Sequence, residues 1–248
     1  MNATADTAKA TVTLGTLHFK EANELVREAF THADTVEARD VFAQRYLACG
    51  LKAGKRLEIR GVPGNDLACY MSGGDVEVFG NAQDQVANTM DGGRVVVHGR
   101  VGDAAGYGMR GGVILVRDEC GWRVGINMKQ YQDKCPAIVV GDSAGDFLGE
   151  YMAGGVIVLL GHAGRYTASG MHGGVIYLRH PLDERDVADG LVQEPVDESD
   201  LPTLRGLLSA YNEAFAHDEG FVPVDATGEG FYRLRPQAAR PYAGLYAH

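Results

Sequence analysis

Short stretches in which apolar and other residues alternate recur through the middle of the chain. An alternation with a period of two is typical of a β-strand that buries one face. Because the stretches follow one another at a nearly constant interval, they predict a row of short strands that share one apolar face. The apolar residues lie five and seven positions beyond successive methionines, as Val76/Val78, Val95/Val97, Ile114/Val116, Ile157/Leu159 and Ile176/Leu178, and Leu57/Ile59 fill the equivalent places of the first stretch.

A Met-x-Gly-Gly motif opens most of these stretches and fixes the interval. The motif begins at Met71, Met90, Met109, Met152 and Met171, and the steps from 71 to 90, from 90 to 109 and from 152 to 171 are each 19 residues. Further steps of 19 lead forwards from 109 and backwards from 71, and a step of 24 precedes 152. The sequence therefore predicts seven coils, which begin at residues 52, 71, 90, 109, 128, 152 and 171.

Self-similarity at a fixed period is the signature of a solenoid, in which each coil buries its apolar face against its neighbours. The predicted fold therefore has an all-β core, a single-stranded β-helix (β-solenoid) of about seven 19-residue coils over residues 51–180. Neighbouring coils are expected to lie about 4.8 Å apart as parallel strands. Glycine makes up 34 of the 248 residues, about twice its usual share, and it suits the corners because it adopts positive φ without steric cost.

The two ends of the chain lack the repeat and are predicted to be caps that contain flanking helices. Residues 1–50 are an N-terminal helical cap, since apolar residues at helical spacing occur between Leu17 and Phe30. Residues 181–248 are an acidic linker, a C-terminal helix and an extended arm that reaches Tyr246. Such caps cover the open ends of a solenoid, where unpaired strands invite fibre growth. Ser199 is the predicted N-cap of the second helix, whose apolar stripe is Leu201, Leu204, Leu208, Tyr211 and Phe215.

Charge and cysteine content limit the class of protein. The formal net charge of -10 disfavours nucleic acid and anionic membranes as partners, because both require a basic surface. No apolar run approaches the ~20 residues of a membrane helix, and residues 1–10 lack the apolar core of a secretory signal. Cys49, Cys69, Cys120 and Cys135 form no CxxC pair, so we expect reduced, buried thiols in a cytoplasmic protein.

No motif in the chain indicates a catalytic, cofactor-binding or metal-binding residue. The Gly-x-Gly-x-x-Gly run at 106–111 matches a dinucleotide fingerprint, but it leads into a predicted strand, whereas that site requires a helix. The histidines of the coils have neither HxH nor HExxH spacing, and His172 occupies a variable turn position. Asp103 and Asp146 share one turn position, where a carboxylate can accept backbone N–H bonds. The sequence therefore predicts no catalytic residue, no metal and no cofactor on this chain.

The outward side of the strands changes from polar in the early coils to apolar in the later ones. An exposed apolar stripe is unfavourable in water, so either the C-terminal arm of the chain or a partner protein is expected to cover it. The insertion at residues 129–135 breaks the coil period, and insertions of this kind tend to face partners. The predicted partner interface consists of Val113, Leu115, Ile138, Val140, Val156, Val158 and Leu160 on the stripe, with Lys129 and Tyr131 from the insertion.

The coil region resembles the GXGXG domain at the C-terminal end of the glutamate synthase large subunit. The run 139–156 (VVGDSAGDFLGEYMAGGV), the run 170–177 (GMHGGVIY) and the ending 240–242 (RPY) carry the resemblance. It is strong over residues 51–180 and looser at the two ends. The resemblance implies that the β-helix is right-handed and that the domain carries no catalytic residue.

In such synthases a glutaminase domain releases ammonia, and an FMN and iron–sulfur domain uses it to make glutamate from 2-oxoglutarate. The N-terminal cysteine nucleophile of the glutaminase is missing here, since Asn2 follows Met1, and so is the cysteine cluster of the FMN domain. The resemblance therefore implies a non-catalytic structural subunit of a split glutamate synthase-like complex. Its expected partners are a class II glutamine amidotransferase-like subunit and an FMN-binding glutamate synthase-like subunit.

Two alternatives remain open on the sequence alone. The β-helical subunit of formylmethanofuran dehydrogenase, or that of a related formyltransferase/hydrolase complex in one-carbon metabolism, has similar coils, although the run 145–155 favours the synthase. A polysaccharide-acting right-handed β-helix enzyme would need clustered carboxylates on one outward sheet and usually secretion. The sequence contains neither feature, which disfavours that enzyme class.

Overall fold

The computed structural model describes residues 9–238 of the chain as one sheet of eleven strands with two helices. The helices are Phe19–Ala29 (α1) and Leu201–Phe215 (α2). The strands are Lys9–Thr13 (β1), Thr35–Phe42 (β2), Arg56–Val62 (β3), Ser72–Phe79 (β4), Asp91–Val97 (β5), Gly111–Val116 (β6), Ala137–Val140 (β7), Ala153–Leu159 (β8), Gly173–Leu178 (β9), Leu191–Pro195 (β10) and Tyr232–Pro236 (β11). Strands β1 to β9 are parallel neighbours in sequence order, which confirms the predicted β-solenoid.

The inner face of the sheet is a column of apolar side chains in register. Val76 pairs with Val95, Val95 with Ile114, and the column continues through Ile138 and Ile157. All five side chains are almost completely buried. Burial of one such side chain stabilises a protein by about 1.5–3 kcal/mol, but a lone coil has no second face to bury it against. The coils are therefore stable only as a stack.

Methionine and glycine fit together at one corner of each coil, which explains the Met-x-Gly-Gly motif. The second glycine has a positive φ, +101° at Gly93 and +84° at Gly112. A Cβ on Gly93 would lie 2.5 Å from Met71 Cε, and a Cβ on Gly112 would lie 2.3 Å from Met90 Cε. Each methionine methyl thus fills the space beside the glycine of the next coil, and all the motif methionines are fully buried.

The sheet begins nearer to the N-terminus than the repeat indicates. The described part of the predicted helical cap contains α1, but β1 and β2 flank this helix and extend the sheet, so that the solenoid has about eight turns. Because α1 stands in place of a coil corner, a search for a 19-residue period misses both strands. The Glu21 carboxylate accepts a bond from His18 N–H at the start of α1, and Ala22 and Val26 pack on the core.

The corner of the first predicted coil is one residue longer than the period of 19 implies. Leu51, rather than Lys52, is equivalent to Met71, since the Ser72 N–H donates to the Leu51 carbonyl at 3.0 Å. The strands that follow are back in step, because Leu57 pairs with Val76. The extra residue lies in the turn before β3 and does not disturb the inner column.

Helix α2 covers the outward face of the later strands. Its buried residues, Leu204, Leu208, Tyr211 and Phe215, belong to the predicted apolar stripe. They pack with outward side chains of the sheet in a cluster separate from the inner core, which includes Val96, Leu115, Val139, Val156, Val158 and Tyr177. The chain itself therefore covers much of its apolar stripe, which answers the question that the sequence left open.

The predicted N-cap of α2 is wrong, since the helix follows Asp200 and no side chain caps it. The Asp200 carboxylate instead accepts bonds from the Tyr177 hydroxyl at 2.9 Å and from Arg233 at 2.8 Å. Ser199 donates to Asp197, and these bonds, with the charge of Arg233, lower the pKa of Asp197 to about 2. Part of the acidic linker is thus neutralised within the chain.

The sheet ends with two antiparallel strands. Strand β11 pairs with β9, and β10 pairs with β11. The first part of the predicted extended arm is therefore strand β11, and its part from residue 239 to Tyr246 lies outside the described residues. Neither α1 nor α2, the helices of residues 9–238, is long and apolar enough to cross a membrane.

A buried histidine ties the end of α2 to the sheet. His98 Nε2 lies 3.0 Å from Glu77 Oε1, and Nδ1 lies 2.7 Å from Asp218 Oδ1. The imidazole stacks on Phe79 and meets the ring of Phe215 edge-on. Burial opposes its protonation, but the bonds to the two carboxylates outweigh burial and raise the pKa of His98 above its ordinary value.

We expect this contact to make stability depend on pH. Arg56 and Arg117 flank the two carboxylates but do not replace the bridging imidazolium. Because the folded-state pKa of His98 is raised, its contribution to the free energy of unfolding is complete below about pH 6.5 and is lost as pH rises through the folded-state pKa. Urea unfolding from pH 6 to 9 should show this loss in the wild type and in His172→Gln, which changes an exposed turn residue. A pH dependence unchanged in His98→Gln would contradict the assignment.

Candidate docking surface

The structure divides the predicted interface residues among three environments. Leu115, Val156 and Val158 lie beneath α2 and are buried within the chain. Val113 and Leu160 are half-buried at the margin of the same cluster. These positions face outwards as predicted, but α2 occupies the surface that a partner would need.

Ile138 and Val140 were assigned to the wrong face of the sheet. They pair with Ile114 and Val116 and belong to the inner core, and Ala137 and Val139 face outwards in their place. The insertion before β7 changes the count of residues by an odd number, and a shift of one residue exchanges the two faces of a strand. The four-residue strand is apolar throughout, so its sequence carries no alternation that would reveal its orientation.

The insertion at residues 129–135 is exposed, as predicted for a segment that faces a partner. Tyr131 exposes about half of its side chain, and Lys129 is also exposed. Lys134 pairs with Asp91, which fastens the insertion to the start of β5. Lys129 and Tyr131 therefore remain candidates for partner contact.

A second exposed surface lies on the corner that precedes each methionine. It consists of Trp122, Phe147, Tyr151 and Tyr166 from three successive coils, and we call it the aromatic corner. The exposed fractions are 55% for Trp122, 53% for Tyr151 and 57% for Tyr166. Large aromatic groups this exposed are unusual on a solvated surface and are enriched at protein interfaces.

The backbone conformation of the coils places these rings at the surface. Phe147, Tyr151 and Tyr166 have φ between 52° and 65°, a left-handed conformation that is uncommon outside glycine. Equivalent positions in other coils share this conformation, for example Ala68 and Ala87. The strain is thus part of the coil corner, and only the exposed side chains distinguish the last coils from the first.

Arginine side chains are interleaved with the rings. The guanidinium of Arg123 lies 5.2 Å from the Phe147 ring centroid, and that ring stacks on Tyr166 at 4.9 Å. Arg165 lies 5.7 Å from the Tyr166 centroid and pairs with Asp146 at 2.9 Å. These contacts link three coils and hold the rings in fixed positions, which lowers the entropy lost when a partner binds.

Glycine allows two of the rings to lie flat on the corner. A Cβ on Gly145 would lie 2.2 Å from Trp122 Cδ1, and a Cβ on Gly170 would lie 2.4 Å from Tyr151 Cδ1. Each ring therefore rests on the backbone of the following coil. Any side chain at these glycines would lift the ring and roughen the surface.

The aromatic corner also contains a buried carboxylate with an open hydrogen-bonding site. Among residues 9–238, Glu150 Oε2 is the buried side-chain polar atom without a hydrogen-bond partner, and Arg123 Nε lies 3.5 Å away. A buried acceptor left unpaired costs about 1–3 kcal/mol. A donor supplied from outside the chain would remove that cost.

The predicted absence of a nucleotide site agrees with the local geometry of residues 106–111. Gly106 and Gly108 form a coil corner, and Gly111 begins strand β6 rather than a helix. Asp103 accepts the Trp122 N–H at 2.8 Å, and Asp146 accepts the Arg165 N–H at 2.9 Å, as predicted for that turn position. Within the described chain, no three acidic, histidine or cysteine side chains converge to hold a metal ion.

Comparisons with known proteins bear on the solenoid together with its covering helix. The family model described as the GXGXG motif matches residues 32–221, which include β2 to β10 and all of α2. An uncharacterized protein from Methanocaldococcus jannaschii is 40% identical over 244 residues, which cover 93% of this chain and 93% of that protein. The likeness to this protein thus extends well beyond the coils.

Proposed function

The chain belongs to the GXGXG motif family, and from this membership we propose that it is a non-catalytic structural subunit of a split glutamate synthase-like complex. The family is that of the C-terminal domain of the glutamate synthase alpha subunit. In the proposed complex, a class II glutamine amidotransferase-like subunit supplies ammonia to an FMN-binding glutamate synthase-like subunit. This chain holds the two in a fixed arrangement.

The aromatic corner is the observation that supports a role in assembly. Trp, Tyr and Arg dominate the residues that contribute most to protein–protein affinity, and all three types meet here on a rigid stack of coils. The apolar face of the sheet is already covered by α2, which leaves this corner and the insertion as the surfaces available to partners.

The chemistry of the corner specifies one feature of the partner. Glu150 offers an unpaired carboxylate oxygen beside the rings, so we propose that the partner inserts a basic side chain there. An arginine or lysine fits because it can donate to the carboxylate and lie against an aromatic face at the same time.

The first experiment is to tag the chain in its native cell and identify the proteins that co-purify. We expect a class II amidotransferase-like subunit together with an FMN-binding synthase-like subunit. Molybdenum or tungsten enzyme subunits, or a formyltransferase, would support the formylmethanofuran alternative. A chain that elutes alone, or only as a homodimer through the aromatic corner, would contradict the proposed assembly.

Substitution within the corner tests the surface itself. We expect Tyr151→Ala to weaken partner binding by about 2 kcal/mol, roughly 30-fold in Kd, measured by titration with the purified partner. Tyr70→Ala is the matched control, because Tyr70 has the same exposed, left-handed position on an early coil. Glu150→Gln keeps the shape and removes the charge, so unchanged affinity in this variant would contradict the basic side chain. Equal losses in Tyr70→Ala and Tyr151→Ala would contradict the aromatic corner.

A further inference from the structure

Two cysteines that lie far apart in sequence meet on successive coils. Cys49 and Cys69 each end a Leu-Ala-Cys run, and the two runs occupy equivalent corners. The Cys49 N–H donates to the Tyr46 carbonyl at 3.1 Å, and the Cys69 N–H donates to the Asp66 carbonyl at 3.2 Å. These matching turns give the two cysteines the same orientation.

The two coils are joined at the cysteines themselves. The Gly50 N–H donates to the Cys69 carbonyl at 2.9 Å, and the thiol groups are hydrogen-bonded to each other. Parallel neighbours of this kind lie about 4.8 Å apart, which falls within the ~4.4–6.8 Å between Cα atoms that a disulfide spans. The pair can therefore close a disulfide without rearrangement of the coils.

The two thiols differ in access. Cys49 is exposed, whereas Cys69 retains 2% of its accessible surface. Burial and the hydrogen bond to Cys49 raise the pKa of Cys69 well above its ordinary value. An external reagent must therefore react first at Cys49, and Cys69 is placed to complete the reaction.

Cys49 also lines a cleft with a basic wall. The cleft lies between α1 and the first coil corner and has a volume of about 260 Å³. Lys20 and Arg27 contribute cationic groups to it, and Phe19 and Tyr46 contribute aromatic surface. Glu24 is the acidic side chain among the lining residues, so two cations face one anion.

We propose that Cys49 and Cys69 are a reversible thiol–disulfide pair whose substrate is a small disulfide that carries carboxylates. The Cys49 thiolate attacks one sulfur of this disulfide, forms a mixed disulfide and releases one small thiolate. Cys69 then loses its proton and attacks the Cys49 sulfur, which closes the Cys49–Cys69 bond and releases the second small thiolate. The pair is oxidised by two electrons, and the small disulfide is reduced to two thiols.

The bond would join the first two coils of the predicted repeat beside the packing site of α1. A cross-link lowers the entropy of the unfolded chain, so the oxidised protein should unfold at a higher temperature than the reduced protein. This site is separate from the aromatic corner and does not depend on the proposed assembly.

The test uses the full chain with glutathione disulfide as the anionic probe. We expect mass spectrometry to show the loss of two hydrogen atoms, no retained adduct and a peptide that links Cys49 to Cys69. The midpoint of thermal unfolding should rise and should return after treatment with dithiothreitol. Cys69→Ser should stop at the mixed disulfide on Cys49, whereas Cys135→Ser should react as the wild type does, although it removes the other exposed cysteine of the described chain.

Two results would overturn the proposal. A wild-type protein that retains a glutathione adduct on Cys49 without cross-linking would show that the two sulfurs do not meet. Lys20→Gln/Arg27→Gln should slow the reaction with glutathione disulfide but not with neutral 2-hydroxyethyl disulfide. Equal rates in this variant and in the wild type with both reagents would contradict the preference for an anionic substrate. Far-UV circular dichroism of each variant verifies that the solenoid remains folded.

Discussion

We expect Val97→Asp to leave no soluble, cooperatively folding protein. Val97 is completely buried in the inner column, where it pairs with Val78 on one side and Val116 on the other. No hydrogen-bond donor of the column could pair with a carboxylate there, because its neighbours are aliphatic. An unpaired buried carboxylate costs several kcal/mol, which is comparable with the ~5–15 kcal/mol that stabilises a whole domain.

The matched control is Val222→Asp, the same substitution at a valine that is 78% exposed. It should express, remain soluble and unfold at a midpoint close to that of the wild type. Soluble fractions and urea unfolding curves of the two variants provide the comparison. A soluble Val97→Asp protein with a cooperative transition would show that the inward assignment of this column is wrong.

The repeated part of the fold was predictable because each coil meets the same steric requirement. A methionine needs a glycine with positive φ in the next coil, as Met90 does at Gly112, and this requirement recurs at a fixed interval in the sequence. The alternation of Val76, Val78 and their equivalents follows from the pleat of a strand. Both signals are local, so they can be recognised without knowledge of the tertiary structure.

The parts that were missed lack a local signal. Strands β1 and β2 are separated by a helix instead of a glycine corner, so the period does not reach them. Ile138 and Val140 lie in a strand with no polar residue, and its orientation depends on how the insertion before it is accommodated. The cap of α2 failed because Asp200 is held by Tyr177 and Arg233, which are distant in sequence.

The candidate surfaces become visible only when the coils are stacked. Trp122, Phe147 and Tyr166 are separated by 25 and 19 residues, yet they occupy neighbouring corners. Cys49 and Cys69 were judged unrelated because no CxxC pair joins them, although an interval of 20 residues is one turn of this solenoid. Comparison of equivalent positions along successive coils would have revealed both groups, because in a solenoid the neighbour in space is about one period away in sequence.

The filled interior limits how the proposed complex could work. The inner column and the methionine ladder consist of fully buried side chains, which occupy the axis of the solenoid. In the complex that we propose, ammonia would therefore pass along the partners or their interfaces rather than through this chain. The contribution of this subunit would be the distance and orientation that it sets between them.

Val158→Asp should separate the covering helix from the solenoid. Val158 lies between Val139 and Tyr177 on the outward face and is completely buried in the cluster that includes Leu204 and Leu208. A carboxylate there costs several kcal/mol while α2 is docked, but becomes hydrated when α2 moves away. The inner core is a separate cluster, so the stacked coils should persist.

Limited proteolysis with trypsin measures this separation at Arg205 within α2. We expect cleavage after Arg205 to be at least tenfold faster in Val158→Asp than in the wild type, and circular dichroism to show a loss of helix with the strand signal retained. Val62→Asp, at an exposed position on β3, should be cleaved at the wild-type rate. Because the substitution does not touch the aromatic corner, an unchanged cleavage rate would mean that α2 does not cover the stripe in solution, and the stripe would again need a partner. Complete aggregation would instead mean that the solenoid cannot fold without α2, and that the two apolar clusters form one cooperative unit.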